Sequence, residues 1–415
     1  MWRLCWFILL PMLLVTDTQA ERPPLLPDSR FVYGPDAITF DMAAFIESKA
    51  GYLRQAGATV VINGDDGQPR QHTEAAAQVV LRVARDYSID PRLLLALLDY
   101  QAGWLSQSRI SNEARLYTFI ADENYRGLYA QLKWAANELN RGFYGYRFRN
   151  MRAFTLADGA EINAHDAPNA ATVTLWRFFG LLYGETQWEI ATGENGFIAT
   201  YQALFGDPFD APPLSPLPEG LQQPYLRLPF ARGEVWRLTG GPHGSWGDGS
   251  AWGALDFAPP DAGLDARPPC FTSDYPVRAV TNGIISRSGD GVVILDLDGD
   301  GIEHTGWAIL YLHIAEQGRI EDGQTVEAGD IIGYPACAGG SSAATHLHIA
   351  RRYNGVWLPA YCHGCTARTM TPQFVLSGWW AAGYEGQVYQ GYLYRGERRV
   401  EAIEGRHTQE NEISW

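Results

Sequence analysis

The sequence is short of positive charge. It has 32 Lys and Arg residues against 47 Asp and Glu residues, so its formal net charge is -15 over 415 residues. Binding to nucleic acid requires a basic surface, and docking onto anionic lipid requires a basic patch. The composition therefore argues against both kinds of partner.

Long apolar segments are also missing after the first twenty residues. Arg3, the apolar run 4–15 and the stretch Thr18–Ala20 follow the pattern of a secretory signal peptide over residues 1–20. The apolar run is too short to span a bilayer. We expect cleavage after Ala20 and a secreted, monomeric mature chain without stable membrane insertion. An uncleaved anchor is the alternative.

Cysteine is scarce as well. One of the five cysteines lies in the leader, and the remaining four are an even number in an exported chain, which suggests two disulfides. Of the three possible pairings we favour Cys270–Cys337 and Cys362–Cys365. The second pair is close in sequence, and the first brackets the histidine-rich region described below. A metal knuckle around Cys362 and Cys365 is the competing interpretation, but it lacks a second cysteine pair at zinc-finger spacing.

The length of the chain suggests two or three domains, and a hydrophobic content of 46% with 14 Trp is ample for packed cores. Helical periodicity dominates first, and short β-branched runs separated by glycine follow. This pattern predicts a multidomain α + β protein with an N-terminal helical domain and an all-β antiparallel barrel-sandwich domain. The expected divisions after the leader are a mixed segment 21–70, a helical domain 71–208, a Pro-rich linker 209–225, a β domain 226–370 and a β extension 371–415.

One helix start stands out in the first half. Asp90 before Pro91 is typical of an N-cap followed by proline at the first helical position, and the apolar run 93–98 predicts a buried helix. Residues 87–104 resemble the catalytic helix of the lysozyme-like lytic transglycosylases, which ends in Glu-Ser-Gly. Gln101 stands in place of the glutamate and cannot act as a general acid, so the resemblance implies a lysozyme-like domain that is not catalytic. A glycan-holding domain, a pro-segment and a plain helical packing module remain open.

The second half contains a His-x-His pair. On a strand His346 and His348 point to the same face, while Leu347 points to the opposite face and into a core. The same alternation around Asp256, which is flanked by apolar residues, places its carboxylate on an open face. The pair can therefore share one site with this carboxylate.

Two upstream histidines fit beside the pair. His243 precedes Asp256 by thirteen residues, and the glycine-rich chain between them can fold back. His313 ends a strand in which Tyr311 is expected to share its face. Two imidazoles and one carboxylate suit Zn²⁺, and an open fourth position is the catalytic form of such a site.

The order His243, Asp256, His313 and His346-x-His348 resembles zinc metallopeptidase family M23. The resemblance is strongest to the branch of LasA and the β-lytic endopeptidases, in which the first histidine and the aspartate are also thirteen residues apart. It covers residues of about 230 to 370, including glycine-punctuated strands before the His-x-His pair.

The resemblance implies one Zn²⁺ per chain, with His243, Asp256 and His348 as its ligands. His313 and His346 would be catalytic, and Tyr361 is a candidate for holding the oxyanion. The implied activity is hydrolysis of bacterial peptidoglycan peptides, often at Gly-containing bonds. A non-catalytic cell-wall-binding or regulatory protein and a broader extracellular protease of Gly-rich proteins are the alternatives.

The remaining acidic and histidine motifs have no place in this set. His304 and His363 are expected to be surface residues. The segment from Asp296 to Asp300 resembles the start of a calcium loop, but Trp307 stands where an EF-hand requires Glu. We therefore favour an acidic hairpin turn and keep weak calcium binding as the alternative.

Overall fold

A computed structural model describes residues 22–210, 216–263, 267–362, 364–365, 371–405 and 408–415. The predicted signal peptide and His363 lie outside the described residues. The N-terminal half consists of helices, one long β-hairpin and one short one, which confirms the predicted helical character. The helices are α1 Met42–Glu47, α2 Ala76–Tyr87, α3 Pro91–Ala102, α4 Asn112–Leu116, α5 Leu128–Phe148, α6 Ala170–Leu182, α7 Glu185–Thr192 and α8 Phe197–Phe205, and the strands are β1 Gly57–Asn63, β2 Pro69–Ala75, β3 Ala153–Thr155 and β4 Glu161–Asn163.

Helix α3 begins and ends where its sequence signals lie. The carboxylate of Asp90 accepts a hydrogen bond from the backbone N–H of Arg92 at 2.9 Å, and Pro91 is the first helical residue. Gly103 ends the helix with a φ of 68°, a left-handed conformation that glycine adopts readily. The run 93–98 is fully buried, as its composition predicts.

The C-terminal half is built from antiparallel strands. One sheet has the order β11-β8-β9-β10-β13-β6-β5-β19, with β14 also paired to β13. It is open, because β11 and β19 form its two edges among the described residues, so the expected barrel does not close. The strands are β5 Trp236–Gly244, β6 Trp252–Ala258, β7 Val277–Arg278, β8 Gly283–Gly289, β9 Val292–Asp296, β10 Trp307–Leu312, β11 Thr325–Val326, β12 Ile331–Gly333, β13 Leu347–Tyr353, β14 Val356–Trp357, β15 Val375–Leu376, β16 Trp379–Tyr384, β17 Gln387–Arg395, β18 Arg398–Glu401 and β19 Glu412–Ile413.

The main sheet separates two hydrophobic cores. One face packs, through residues such as Leu310 and Ala350, against the N-terminal helices in a single continuous core. The other face packs, through residues such as Leu347 and Leu255, against the smaller sheet β15-β16-β17-β18. The two halves of the chain therefore share buried apolar surface.

Ion pairs join the same two halves. Asp86 on α2 pairs with Arg287 on β8 at 2.6 Å, and Arg85 pairs with the buried Glu303 at 2.7 Å. Within the predicted linker, Leu217 and Leu221 also lie against the first core, so this part of it is not a free spacer.

His304 is buried rather than exposed. It is only 5% exposed, and its ring stacks on Tyr33 of the N-terminal half with centroids 3.7 Å apart. The expectation of a surface histidine was therefore wrong, because the N-terminal half covers this part of the β domain.

Candidate metal centre

Neighbouring strands bring the predicted ligand residues together. In the pairing of β13 with β6, His348 lies directly opposite Asp256 and Leu347 lies opposite Phe257. Both apolar residues are buried in the second core, so the alternation predicted around the carboxylate and the His-x-His pair is confirmed. His243 lies on β5, the strand next to β6.

Three ligand atoms converge at one point. The Nε2 atom of His243 lies 3.0 Å from Nδ1 of His348 and 3.3 Å from Oδ1 of Asp256, and the last two atoms are 3.2 Å apart. A tetrahedral ion with bonds of about 2.0–2.1 Å holds its ligand atoms about 3.3 Å apart. The triangle has the size that such an ion requires.

The hydrogen bonds of the two imidazoles also favour a cation at this point. His243 donates its Nδ1–H to the carbonyl of Gly241 at 2.8 Å, and His348 donates its Nε2–H to the carbonyl of Ser245 at 3.0 Å. In neutral imidazoles the other nitrogens then present lone pairs toward the buried Oδ1 of Asp256, which has no hydrogen-bond donor among the described residues. Three electron pairs facing one another repel, and a positive ion between them would satisfy all three.

Two glycines on β5 make room for this arrangement. A Cβ atom at Gly240 would lie 2.4 Å from Oδ2 of Asp256, so a larger residue would displace the carboxylate. A Cβ atom at Gly241 would lie 2.8 Å from the backbone carbonyl carbon of Gln390. Strand β5 therefore approaches both the site and strand β17 closely.

Burial and charge set the protonation of the site. Burial would raise the pKa of Asp256, but the neighbouring imidazoles of His243 and His346 hold that pKa well below its usual range. Burial, and next the neighbouring imidazoles of His346 and His348, hold the pKa of His313 well below its usual range. Asp256 therefore stays ionised and His313 stays neutral.

The two predicted catalytic histidines stand beside the ligand triangle. The rings of His313 and His346 have centroids 4.5 Å apart, and Nε2 of His346 lies 3.7 Å from Oδ1 of Asp256. Their Nδ1–H groups are held by the carbonyls of Ala338 at 2.9 Å and Ala344 at 2.8 Å. This leaves the Nε2 lone pair of each ring free.

His313 reaches the site through a backbone turn. Strand β10 ends at Leu312, and His313 has a φ of 68°, a conformation uncommon for residues other than glycine and one that recurs at functional sites. Tyr311 meanwhile is buried in the second core, where its hydroxyl accepts a hydrogen bond from the N–H of Val280. The expectation that His313 and Tyr311 share a face was therefore wrong.

Tyr389 belongs to the site although the sequence did not single it out for that role. Its ring stacks on His243 with centroids 4.3 Å apart and planes inclined by 22°. In the pairing of β16 with β17, Tyr384 lies opposite Gln387 and the adjacent Gly383 lies opposite Gly391. Tyr389 is therefore in a bulge of β17, where it has a φ of 66°. The only sequence signal was the alternation of aromatic residues in the tail.

Tyr361 lines a pocket with Tyr392 and Tyr394 on the smaller sheet, whereas the ring of Tyr389 lies on the imidazole of His243. The oxyanion role expected for Tyr361 stays a prediction.

The cysteines form the two favoured pairs. Cys270 is bonded to Cys337, and Cys362 is bonded to Cys365. The knuckle interpretation was wrong because both sulfur atoms of the second pair are used in a disulfide.

The acidic segment forms a closed turn between β9 and β10. The carboxylate of Asp296 accepts backbone N–H groups of Asp298, Gly299 and Gly301 at 2.9–3.3 Å. Burial, and next a hydrogen bond with Asp298, raise the pKa of Asp296 to about 7. These bonds close the turn, in agreement with the hairpin interpretation. The carboxylates of Asp296, Asp298 and Asp300 also lie within 4.8 Å of one another, so weak calcium binding stays a prediction.

Two family models match the chain. Residues 24–218 match the LasA N-terminal domain, and residues 261–359 match peptidase family M23. The second range contains His313, His346 and His348. His243 and Asp256 precede this range, so the match to peptidase family M23 covers one part of the C-terminal half.

Relatives extend this likeness over both halves. Protease LasA of Pseudomonas aeruginosa, in strains PAO1 and UCBPP-PA14, is 27% identical over 356 residues, which cover 80% of this chain and 74% of the relative. Together with the M23 match, this likeness identifies the chain as a metalloendopeptidase, as the sequence predicted. The likeness of residues 87–104 to a transglycosylase helix stays a prediction.

Solved structures of M23 peptidases are similar to part of this chain. The M23 metalloprotease pseudoalterin from the deep sea is 23% identical and covers 44% of this chain and 96% of its own, with a TM-score of 0.33. The catalytic domain of the antimicrobial peptidase lysostaphin from Staphylococcus simulans is 25% identical and covers 31% and 88%, with a TM-score of 0.20. Among the described residues, every helix is too short or too polar to cross a bilayer.

Proposed function

We propose that this chain is an exported zinc endopeptidase that hydrolyses peptide bonds of bacterial peptidoglycan. The observation that carries the proposal is the triangle of His243, Asp256 and His348, whose converging lone pairs match a tetrahedral ion. When bound there, zinc supplies a Lewis acid that polarises the scissile carbonyl and acidifies water. Two Nε2 atoms beside the triangle supply proton acceptors.

His346 and His313 are the two candidates for the proton transfers. Each ring has its Nδ1–H held by a backbone carbonyl, so each presents Nε2 to the space next to the ligands. One ring takes the proton from the attacking water, and the protonated ring then delivers it to the leaving amine. His346 is the more exposed of the two, with 18% of its side chain accessible, so the substrate would enter from its side.

Tyr389 would hold the developing oxyanion. Burial, and next the negative charge of Asp256, raise the pKa of this phenol, so the hydroxyl keeps its proton and can donate a hydrogen bond. Its stacking on His243 also restricts the orientation of that ligand.

Peptidoglycan is proposed as the substrate from family membership and from the likeness to LasA. Secretion is proposed from the leader sequence. A purely wall-binding protein would not need a complete ligand set with two further histidines, so the catalytic proposal is favoured. No nucleic-acid role is proposed, because the chain is strongly acidic.

The test combines metal analysis with product mapping. Purified full-length protein is assayed for zinc and then incubated with bacterial sacculi, and released fragments are identified by mass spectrometry. We expect one zinc per chain and new peptide termini for the wild type, and neither for His348→Ala. His72→Ala removes a surface histidine and is the matched control.

Two results would contradict the proposal. A wild-type protein that binds zinc but releases no peptide termini from sacculi would favour the wall-binding alternative. Faster cleavage of Gly-rich proteins than of sacculi would favour the broader protease.

A further inference from the structure

The loop between β5 and β6 joins two of the proposed metal ligands. It covers residues 245–251, and we call it the ligand loop because His243 lies before it and Asp256 lies after it. The backbone carbonyl of Ser245, a fully buried residue, accepts the Nε2–H of His348 at 3.0 Å. The position of the ligand loop therefore sets the orientation of His348, whose other ring nitrogen faces the metal position.

Hydrogen bonds inside the ligand loop connect its two ends to its tip. The backbone N–H and the hydroxyl of Ser245 both donate to the carbonyl of Ala251, at 2.9 Å and 3.1 Å. The hydroxyl of Ser250 accepts the N–H of Trp246 at 3.0 Å and donates to the carbonyl of Gly247 at 3.1 Å. A displacement of the tip would therefore be passed on to the carbonyl of Ser245.

Helix α5 of the N-terminal half holds the tip of the ligand loop. The side-chain amide of Asn137 donates to one carboxylate oxygen of Asp248 at 2.7 Å, and its side-chain oxygen accepts the backbone N–H of Gly249 at 2.9 Å. Arg141, about one turn further along α5, donates to the other oxygen of Asp248 at 2.9 Å. Asn137 thus bonds both a side chain and the backbone of the tip.

The backbone of the ligand loop also lies directly against α5. A Cβ atom at Gly249 would lie 2.0 Å from the backbone carbonyl oxygen of Asn137, and one at Gly247 would lie 2.7 Å from its side-chain oxygen. Gly247 has a φ of 64°, a conformation that glycine adopts readily. Because glycines leave the free loop many conformations, the contact with Asn137 selects the one that places the Ser245 carbonyl.

This contact connects the docking of the N-terminal half to the metal centre. Solvent screens the pair between Arg141 and Asp248, whose side chain is 74% exposed, whereas the bond from Gly249 to Asn137 holds the backbone itself. We propose that Asn137 is a positioning residue for His348, so that docking of the N-terminal half raises the affinity for zinc. By reciprocity, bound zinc stabilises the docked half. The proposal rests on the proposed function, because it takes His348 as a zinc ligand.

The affinity for zinc, rather than activity, tests this role. Zinc-free full-length wild type and variants are titrated with zinc in competition with a fluorescent chelator. We expect Asn137→Ala to bind zinc about tenfold more weakly, because groups that orient a metal ligand typically contribute about tenfold to 100-fold in affinity. The double variant Asn137→Asp, Asp248→Asn should restore the affinity. The carboxylate introduced at position 137 would accept both the N–H of Gly249 and the amide introduced at position 248.

Hydrogen exchange gives a second readout on the same proteins. Zinc should slow exchange in the ligand loop and in α5 of the wild type, and should slow exchange in α5 less in Asn137→Ala. The matched control is Arg82→Gln, which removes a different ion pair between the halves, with Asp290 at 2.7 Å. Its affinity for zinc should equal that of the wild type, because the partners of Arg82 lie outside the ligand loop.

The outcomes separate this proposal from the peptidase proposal. Equal zinc affinity in wild type and Asn137→Ala would overturn the positioning role and leave the peptidase intact. An equal loss in Arg82→Gln, or no recovery in the double variant, would assign the loss to a generally weakened interface and would also overturn it. A loss that the double variant restores, in a protein that cleaves no peptide, would support the positioning role and contradict the peptidase. A wild type that binds no zinc would overturn both.

Discussion

The ring of Tyr389 stacks on the imidazole of His243, with centroids 4.3 Å apart. One residue comes from the tail of the chain and the other from β5, so the smaller sheet forms one wall of the metal centre. This contact gives the C-terminal residues a direct part in the site.

Removing the Tyr389 hydroxyl tests its proposed role. We expect Tyr389→Phe to keep zinc, because the ring still stacks on His243, and to lower kcat about 100-fold, the usual effect of losing one oxyanion donor. Kinetics on a soluble peptidoglycan peptide together with zinc analysis measure both effects. Tyr384→Phe, on the same sheet, is the control. A fully active Tyr389→Phe would show that the tyrosine only packs against the ligand.

The two residues of the His-x-His pair are expected to differ in their need for metal. We expect His348→Ala to lose both zinc and activity. His346→Ala should retain stoichiometric zinc and lose about 100-fold to 10,000-fold in turnover, because it removes a proton acceptor and no ligand. Metal analysis after dialysis, followed by turnover measurements, distinguishes the two. Loss of zinc from His346→Ala would assign that residue to the metal instead.

The buried His304 predicts a loss of stability in mild acid. Burial holds its pKa well below the usual value, and neither ring nitrogen has a hydrogen-bond partner among the described residues. The unfolded chain takes up a proton near pH 6.5 and the folded chain does not, so stability falls as pH drops below that value, by up to about 1.4 kcal/mol per pH unit. The surrounding charged groups are Glu303, Arg85, Arg287 and Arg352.

Denaturant unfolding between pH 5 and pH 8 checks this effect. His304→Phe keeps a ring against Tyr33 but cannot titrate, so its unfolding free energy should change less with pH over this range. His72→Phe, at an exposed position, should follow the wild type. Parallel curves for wild type and His304→Phe would exclude His304 as the source.

Asn63 is expected to position His313 from a distance. Asn63 lies at the end of β1. Its side-chain amide donates a hydrogen bond to the carbonyl of Gly340 at 3.0 Å, and its backbone carbonyl accepts one from the N–H of Gly339 at 2.9 Å. This loop carries Ala338, the acceptor that orients His313. We expect Asn63→Ala to lower kcat about tenfold, through misplacement of the base, with KM and zinc content unchanged.

The control for that prediction is Asn195→Ala, at an exposed position of the same half. Kinetics of both variants on a soluble peptide decide the outcome. An Asn63→Ala protein with wild-type kcat would mean that the backbone bond to Gly339 and the disulfide Cys270–Cys337 hold the loop without the Asn63 side chain.

Sequence alone predicted the parts of the site that follow strand alternation. Asp256 and the His-x-His pair lie on one face because their apolar neighbours are buried on the other, and this alternation is visible in the sequence. No sequence pattern indicates the left-handed turn at His313 or the bulge at Tyr389. Each is set by packing between segments distant in sequence, which no local pattern describes.

The relation between the two halves was equally invisible. The spacing of apolar residues in α2 predicts that the helix has an apolar face. That spacing does not indicate which part of the protein the face packs against. The burial of His304 results from the contact between the N-terminal half and the β domain, which the sequence pattern does not show. The open sheet likewise depends on which strands become edges, and strand patterns alone do not determine that.

The core shared by the helices and the main sheet decides what a cut in the connecting segment would do. Breaking one peptide bond near residues 209–225 removes none of the apolar contacts or ion pairs that join the halves. A nicked molecule would therefore remain a single particle through chromatography and separate only in a denaturing gel. Release of the peptidase half would require the N-terminal half to be unfolded or digested. The rate of that unfolding or digestion would therefore set the rate of any change in access to the metal.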